Sequence, residues 1–421
     1  MKSVAIVGLG YVGLPLACLC AEKGLEVHGI DIDKNRLSLI EKGTSPIDDP
    51  ELNKAVKKLK DKIKTSNDFS TIKNSPVIVV CVPTPVDNNH TPNLKPLIDA
   101  CESISKNFDD DSLIIIESTI FPGTTEEIAL PILKKSNKNF YLAHCPERID
   151  PGNKKYTIKN LPRVVAGVDG DSTKKASEFY KKIIDAEITE LSSVKAAEAT
   201  KIMENTFRDI NIAFINEMAM SFDKAGIDIL EVIKGASTKP FAFMPHYPGT
   251  GVGGHCIPVD PYYLIEKAKQ IGFSHKFLSL AREINNNMPQ YTIELLESEL
   301  KKSNINIKGA KVGILGIAYK ADVDDIRESP ALKVIEILKE KKAELFVFDP
   351  YVKEKSNVKD LNELLEKSDY LILATDHKEF KNLNPEELKN NNIKIIIDGR
   401  NCLDKEEIKS LGIKYHGIGR A

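Results

Sequence analysis

Residues 4–21 carry no charge, and the run divides into three parts. Val4-Ala5-Ile6-Val7 is a short apolar block of the kind that becomes a buried strand. Gly8-Leu9-Gly10-Tyr11-Val12-Gly13 follows as a turn, and an apolar stretch of helical length completes the run. It is nearly long enough to span a membrane. Its three glycines and Pro15 predict a strand, a turn and a helix instead. A second strand, 26–30, ends in Asp31. Further strands are predicted at 77–82, 113–117, 140–143 and 163–167, with helices such as 96–106 and 125–133 between them. This alternation predicts a doubly wound parallel sheet.

Residues 194–224 contain neither Gly nor Pro and read as one long helix. Glu198, Lys201, Asn205 and Arg208 recur along it at intervals of three, four and three, which places them on one face. Their neighbours Ile202, Met203, Phe207, Ile210 and Phe214 are apolar, so the polar strip reads as the lining of a site rather than a solvated face. Beyond residue 308 the pattern starts again. Residues 311–319 echo residues 3–11, and a strand at 345–348 ends in Asp349 as the earlier one ends in Asp31. The fold class expected is α/β, with two Rossmann-like doubly wound domains joined by a long central helix. The expected divisions are 1–192, 193–303 and 304–421.

The glycine turn carries the first chemistry. In G-x-G-x-x-G the first glycine makes the tight turn, the second admits a pyrophosphate and the third lets helix pack on strand. Gly8, Gly10 and Gly13 fit these roles in their strand–turn–helix context, with Tyr11 and Val12 inside the turn. Asp31 lies near the usual spacing of about twenty residues for the acid that holds the adenosine ribose. It would repel a 2′-phosphate, so NAD is favoured over NADP. Arg36 counts against that preference if it serves a phosphate, and can equally lie over the adenine. Thr84 and Thr119 follow predicted strands, where ligands of such sheets bind; a threonine in a tight turn explains each as well. In the second repeat Ala318 replaces the middle glycine and Lys320 follows. Lys320, Arg327 and Arg400 supply positive charge suited to a nucleotide diphosphate other than the cofactor.

The chain of 421 residues is long enough for two or three domains, and a net charge of −2 gives no reason to expect nucleic acid or an anionic membrane. Seven cysteines, an odd number with no zinc spacing, fit a reducing compartment. No metal is expected, and no signal-peptide pattern opens the chain, so the expected location is cytoplasmic. One cysteine stands apart. Gly253-Gly254-His255-Cys256-Ile257-Pro258-Val259-Asp260 sets a thiol after a glycine pair and a carboxylate four residues on. The glycines admit close backbone approach to a substrate, the thiolate is a nucleophile, and Asp260 can steer a proton or hold a water.

Taken together, the chain resembles the nucleotide-sugar 6-dehydrogenase family, the UDP-glucose/GDP-mannose dehydrogenases, over essentially its whole length. The resemblance rests on Gly-Leu-Gly-Tyr-Val-Gly at 8–13, Val-Pro-Thr-Pro at 82–85, Glu-Ser-Thr at 117–119 and Cys-Pro-Glu-Arg at 145–148. It rests further on Lys201 with Asn205, the cysteine segment at 253–260, and Lys320 with Arg-Glu-Ser at 327–329. It implies oxidation of a sugar C6 alcohol to a carboxylate with two NAD. Cys256 would be the nucleophile, Lys201 and Asn205 would stabilise oxyanions, Asp260 and Thr119 would position water, and Glu147 would act in thioester hydrolysis. It also places Glu147, Arg148, Lys201, Asn205, Arg208, Phe243, Gly249, Gly253, Gly254, Lys320, Arg327 and Arg400 around a UDP-sugar. The stretch 237–245 and His255 resemble the branch acting on UDP-N-acetylhexosamines, UDP-N-acetylglucosamine foremost, in polysaccharide or glycan synthesis. UDP-N-acetylmannosamine, UDP-N-acetylgalactosamine and UDP-glucose are the alternatives. Through the long helix a homodimer is expected. An ordinary two-electron hydroxyacid dehydrogenase would leave Cys256 unexplained. A non-catalytic NAD- or sugar-nucleotide-binding protein would not need Cys256, Lys201 and Asp260 together.

Overall fold

Strand β1, Ser3–Val7, runs into the glycine turn and then the first helix, Gly13–Glu22. The computed structural model describes residues 2–87, 92–149, 153 and 155–420. Two compact units emerge. The first comprises Met1–Glu204 with Tyr262–Phe273; the second comprises Asn205–Pro261 with Ser274–Ala421.

The first unit is built on eight strands in the order β3-β2-β1-β4-β5-β6-β7-β8. After β1 these are β2 Glu26–Ile30, β3 Ile63–Ser66, β4 Val77–Val80, β5 Ser112–Ile116, β6 Phe140–His144, β7 Arg163–Gly167 and β8 Ile188–Glu190. Pairing is parallel except between β6 and β7, where Ala143 faces Gly167 and His144 faces Ala166 in antiparallel register. The expectation of a wholly parallel sheet is corrected at that pair. A parallel neighbour needs a crossover, usually a helix, whereas an antiparallel one can be reached by a loop. Among the described residues between β6 and β7 there is no helix, while Gly170–Ile183 makes the parallel crossover from β7 to β8. The core on one side of the sheet joins Val4, Ile6, Val77, Val79, Leu113 and Ile115 to Leu16, Ala17, Cys20 and Ile183.

The second unit holds an all-parallel sheet in the order β10-β9-β11-β12-β13. The strands are β9 Lys311–Leu315, β10 Glu344–Phe348, β11 Tyr370–Leu373, β12 Ile395–Asp398 and β13 Lys414–Gly417. Its heart, β10-β9-β11, repeats the β2-β1-β4 arrangement of the first unit. It lacks a counterpart of β3, so its order is that of the shorter doubly wound sheets. Alternate side chains go to opposite faces, as the strand pleat requires. Val312, Ile314, Tyr370, Ile372, Ile395 and Ile397 pack with Ile215, Ala219, Met288, Leu296 and Val334. Leu315, Leu371, Leu373 and Ile396 pack with Leu364, Leu388 and Ile408 on the other face. Both faces are covered, as all-parallel sheets demand.

The long helix spans Val194–Ala225, in agreement with its uninterrupted sequence. In the second unit it packs beside the helix Lys276–Lys302 through a buried polar chain. Arg282 Nη1 donates to Asp209 Oδ1 at 2.6 Å, Asn285 Nδ2 to the same oxygen at 2.9 Å, and Asn216 Nδ2 to Asn285 Oδ1 at 2.9 Å. No described helix is long and apolar enough to cross a membrane.

Candidate active site

The glycine turn at the end of β1 divides its three glycines by what surrounds them. Gly8 has φ +93°, and a Cβ there would lie 2.7 Å from the Cys81 carbonyl oxygen. A Cβ on Gly13 would lie 1.8 Å from the Gly8 oxygen, so the helix could not close on the strand. At Gly10 a Cβ would meet nothing within 4 Å. Packing therefore demands glycine at 8 and 13, whereas at 10 the bare backbone faces open space. That open face adjoins a helix whose first residue follows Val12, with no side-chain cap on its N–H groups. Such a terminus suits a pyrophosphate. Tyr11 is exposed beside it.

Asp31, buried at the end of β2, accepts from Leu9 N at 2.8 Å and Asp33 N at 2.9 Å. Asp33 caps the helix Lys34–Glu41, whose first turn returns Arg36 to Asp31 Oδ2 at 2.9 Å. Arg36 thus holds the carboxylate. A carboxylate offers about four acceptor sites, so Asp31 keeps room for a ribose hydroxyl. Its counterpart Asp349 differs. One oxygen accepts from Ile317 N, Ala318 N and His377 Nε2, the other from Tyr351 N and Val352 N. Burial alone would raise its pKa; the His377 and backbone hydrogen bonds outweigh that and hold it at about 2. Asp349 is occupied by its own fold and keeps no such room.

At the ends of β4 and β5, Thr84 Oγ1 donates to the Thr119 carbonyl at 2.6 Å. The Thr84 hydroxyl proton is therefore engaged by protein, and Thr119 is the more exposed of the two. Beneath them Glu117 is buried with Tyr180, whose hydroxyl donates to it, and with Arg163 Nη1 at 3.8 Å. Burial, above all, raises the Glu117 pKa, with Arg163 and Tyr180 opposing. This cluster was not apparent in the sequence; a charged residue closing the apolar run of β5 was its only sign. After β6, Glu147 accepts from Ile149 N, and Arg148 grips Glu204 through Nε at 3.0 Å and Nη2 at 2.5 Å. Arg148, expected at the substrate, here ties its loop to the long helix.

The polar strip on that helix is not uniform. Glu198 is buried and accepts from Gly123 N and Thr125 N, a structural anchor whose pKa burial raises. Lys201 is buried and makes no hydrogen bond or ion pair among the described residues. A buried ammonium without a carboxylate is suited to meet a developing oxyanion. Asn205, one turn on, donates Nδ2 to Asp260 Oδ2 at 2.5 Å, which leaves its second amide proton for another acceptor. Arg208 is exposed.

Cys256 opens the turn that leads into the helix Asp260–Gln270, its carbonyl accepting from Asp260 N at 2.8 Å. Of the seven cysteines, five are buried, Cys402 is half-buried and only Cys256 is exposed; none forms a disulfide. Burial pushes the thiols of Cys18, Cys101 and Cys145 up to about 12. The preceding glycines serve packing. A Cβ on Gly253 would sit 2.6 Å from Tyr319 Cβ, and one on Gly254 would sit 2.9 Å from the Tyr319 ring. Gly254 N donates to the Arg327 carbonyl at 2.9 Å. Gly249 N donates to Asn216 Oδ1 at 3.0 Å, and a Cβ there would lie 3.3 Å from Arg400 Nη1. The cysteine loop is thus moulded onto the carboxyl ends of β9 and β12, beside Lys320, Arg327 and Arg400. Asp325 chelates Arg327 through Nε at 2.9 Å and Nη2 at 2.6 Å, and Asp376 holds Arg400 Nε at 3.2 Å. Phe243 is half-buried against the core of the second unit. His255 is half-buried; burial, then Arg327, lowers its pKa.

Three family models match the chain. Residues 2–184 match the NAD binding domain of the UDP-glucose/GDP-mannose dehydrogenase family, 195–287 its central domain and 313–405 its UDP binding domain. The UDP-N-acetyl-D-mannosamine dehydrogenase of Pyrococcus horikoshii is 38% identical over 99% of each chain. A UDP-N-acetyl-D-glucosamine 6-dehydrogenase of Pseudomonas aeruginosa is 37% identical over 92% of this chain and 93% of its own. The solved structure of the Pyrococcus horikoshii enzyme superimposes with a TM-score of 0.93 over 100% of this chain and 99% of that one. The open Gly10 backbone and the Asp31 carboxylate fit the NAD that this first domain binds. The chain belongs to the UDP-glucose/GDP-mannose dehydrogenase family, NAD-dependent nucleotide-sugar dehydrogenases.

Proposed function

We propose that the protein oxidises the C6 alcohol of a UDP-N-acetylhexosamine to the uronic acid, in four electrons, for polysaccharide or glycan synthesis. The observation that carries this reading is the single exposed thiol, Cys256, on a loop moulded to the sheet ends that hold Lys320 and Arg400. NAD, held by the Gly8–Gly13 turn and Asp31, would supply the hydride acceptor, one NAD for each of the two oxidations. Lys201 and the second amide proton of Asn205 stabilise the oxygen at C6 as it gains charge. Asp260, held by Asn205, and Thr119 position the water that takes the alcohol proton. The Cys256 thiolate adds to the aldehyde carbon to give a thiohemiacetal, whose oxidation gives a thioester. Glu147 directs the water that cleaves it, releasing the carboxylate and the thiol. An alcohol taken to an acid without loss of aldehyde needs such a covalent handle.

Glu147, Lys320, Arg327 and Arg400 bind the nucleotide sugar in this reading, with Arg208, Phe243 and the glycines at 249, 253 and 254 shaping its surroundings. For Arg327 and Arg400 that means exchanging or sharing Asp325 and Asp376. The functional division is threefold: 1–192 for NAD, 193–303 for catalysis and 304–421 for the UDP moiety. The substrate is UDP-N-acetylglucosamine in the first reading. UDP-N-acetylmannosamine is the second, favoured by the name of the relative that is 38% identical over nearly the full length. Comparing kcat/KM for the two epimers, UDP-N-acetylgalactosamine and UDP-glucose decides the sugar.

Counting NADH per sugar tests the chemistry: two for this reading, one for a hydroxyacid-type dehydrogenase, none for a binding protein. Cys256→Ala should abolish uronic acid formation while folding and NAD binding persist. Cys256→Ser should stall as a covalent sugar adduct visible as added mass on the intact protein. Near-normal acid production by the alanine variant would overturn the mechanism.

A further inference from the structure

The turn that carries Lys320 is fastened on both sides. Gly316 has φ +95°, and a Cβ there would lie 2.4 Å from Thr375 Cβ. Ser329 Oγ and Thr375 Oγ1 each donate, at 2.6 Å, to the carbonyls of Ile317 and Ala318. Tyr319 N donates to the Asp325 carbonyl at 3.0 Å. On the far side Asp322 has φ +60°, a backbone state that a non-glycine residue keeps only under constraint. Its N–H donates to His377 Nδ1 at 2.8 Å. Its carboxylate accepts from Lys378 N at 3.0 Å.

The tautomer of His377 follows from geometry alone. A backbone N–H can only donate, so Nδ1 is the acceptor and the ring proton sits on Nε2. Nε2 faces Asp349 Oδ2 at 3.1 Å, and Tyr351 stacks on the ring at 4.9 Å between centroids. His377 is wholly buried. The ring therefore links the fully engaged Asp349 to the strained residue two positions beyond Lys320.

We propose that His377 is a positioning residue for nucleotide-sugar binding, its Nδ1 holding the Asp322 turn so that the Lys320 ammonium is presented to the UDP diphosphate. The inference rests on the reading of Lys320 as a diphosphate contact. His377 itself touches no substrate.

Two replacements split the ring's two hydrogen bonds. In His377→Asn the side-chain oxygen falls near the place of Nδ1 and can still accept from Asp322 N, while the link to Asp349 is lost. In His377→Gln the amide reaches the place of Nε2 and can still donate to Asp349, while the Asp322 turn loses its acceptor. KM for the UDP-sugar, KM for NAD and kcat are measured for both, alone and in a Lys320→Met background. His377→Gln should raise KM for the UDP-sugar about tenfold, the weight of one charge-assisted contact, with kcat and the NAD KM within about twofold. His377→Asn should raise it less. With Lys320→Met already present, His377→Gln should add nothing. If Lys320→Met raises KM but His377→Gln does not, or if His377→Gln depresses kcat and NAD binding alike, the positioning role is overturned. If Lys320→Met itself leaves KM unchanged, the reading of Lys320 fails and the inference falls with it. Should the glutamine variant not fold, UDP titration of His377→Asn decides: near-parental affinity supports the role, and a tenfold loss refutes it.

Discussion

His144 ends β6 in the core of the first unit, one residue before Cys145, with Nδ1 buried and lacking a partner among the described residues. Burial holds its pKa down at about 3, with a backbone interaction at Ile116 opposing it. An unfolded histidine titrates near 6.5. Between those values the unfolded chain binds a proton that the folded chain refuses, so stability is complete above about pH 6.5 and declines as pH falls toward 3. The decline from one such group is about 1.4 kcal/mol per pH unit. Replacing His144 by Gln should flatten the acid limb of a urea-midpoint series between pH 6 and 4 by about that slope; an unchanged limb would show that His144 does not govern it. Burial also sorts the cysteines: the thiols of Cys18, Cys101 and Cys145 stay protonated near neutrality, Cys402 is half-buried and Cys256 is exposed.

At the scale of elements, the glycine turn gives a paired test. Gly10→Ala adds a methyl where the protein offers no contact, so the melting temperature should stay within about 2 °C while KM for NAD rises at least tenfold. Gly13→Ala forces the first helix off the strand and should cost more than about 3 kcal/mol in urea unfolding, whether or not NAD is present. Equal loss of stability in both variants would contradict the division of roles. The same turn shows why much of the fold was legible: a charge-free run, a glycine motif and an acid at the next strand end coincide at one place. The expected strand at 163–167 is β7, and the helix expected at 194–224 is extended by Ala225. β3 left no such trace, because Ile63 is its one buried residue and Lys64 beside it is exposed. An edge strand of four residues cannot show an alternation. The antiparallel β6–β7 pair was equally silent, since strand direction is not written in hydrophobic pattern. In the site, the residue types were legible but their partners were not. Arg148 and Arg327 read as substrate ligands, but nothing in the sequence points to Glu204 and Asp325 as the carboxylates that pair with them. Gly253 and Gly254 read as room for a substrate, but the Tyr319 side chain packed against both could not be foreseen.

For the molecule as a whole, the long helix exposes Met203, Phe207 and Phe214, with the half-buried Ile210 between them, at helical spacing along one side. Apolar side chains in such a row call for cover, and a second copy in two-fold symmetry supplies it most simply. The protein should be a dimer by light scattering, and Phe207→Glu with Phe214→Glu should yield monomers. A parent chain that is already monomeric at working concentration would remove the argument. The first unit is also completed late in the sequence. Tyr263, from the segment Tyr262–Phe273, lies buried, donates its hydroxyl to the Thr84 carbonyl and packs against Phe121 at 6.5 Å. Lys267 reaches Glu127 at 2.7 Å. A fragment ending at Glu204 should therefore melt well below the first transition of the intact chain and bind NAD weakly, which calorimetry and NAD titration would show. The same feature sets a timetable during synthesis. At about 5–20 residues per second, the ribosome needs roughly 3–14 s after Glu204 to deliver Phe273, and for that interval the nascent NAD-binding half waits with its Thr84 turn uncovered.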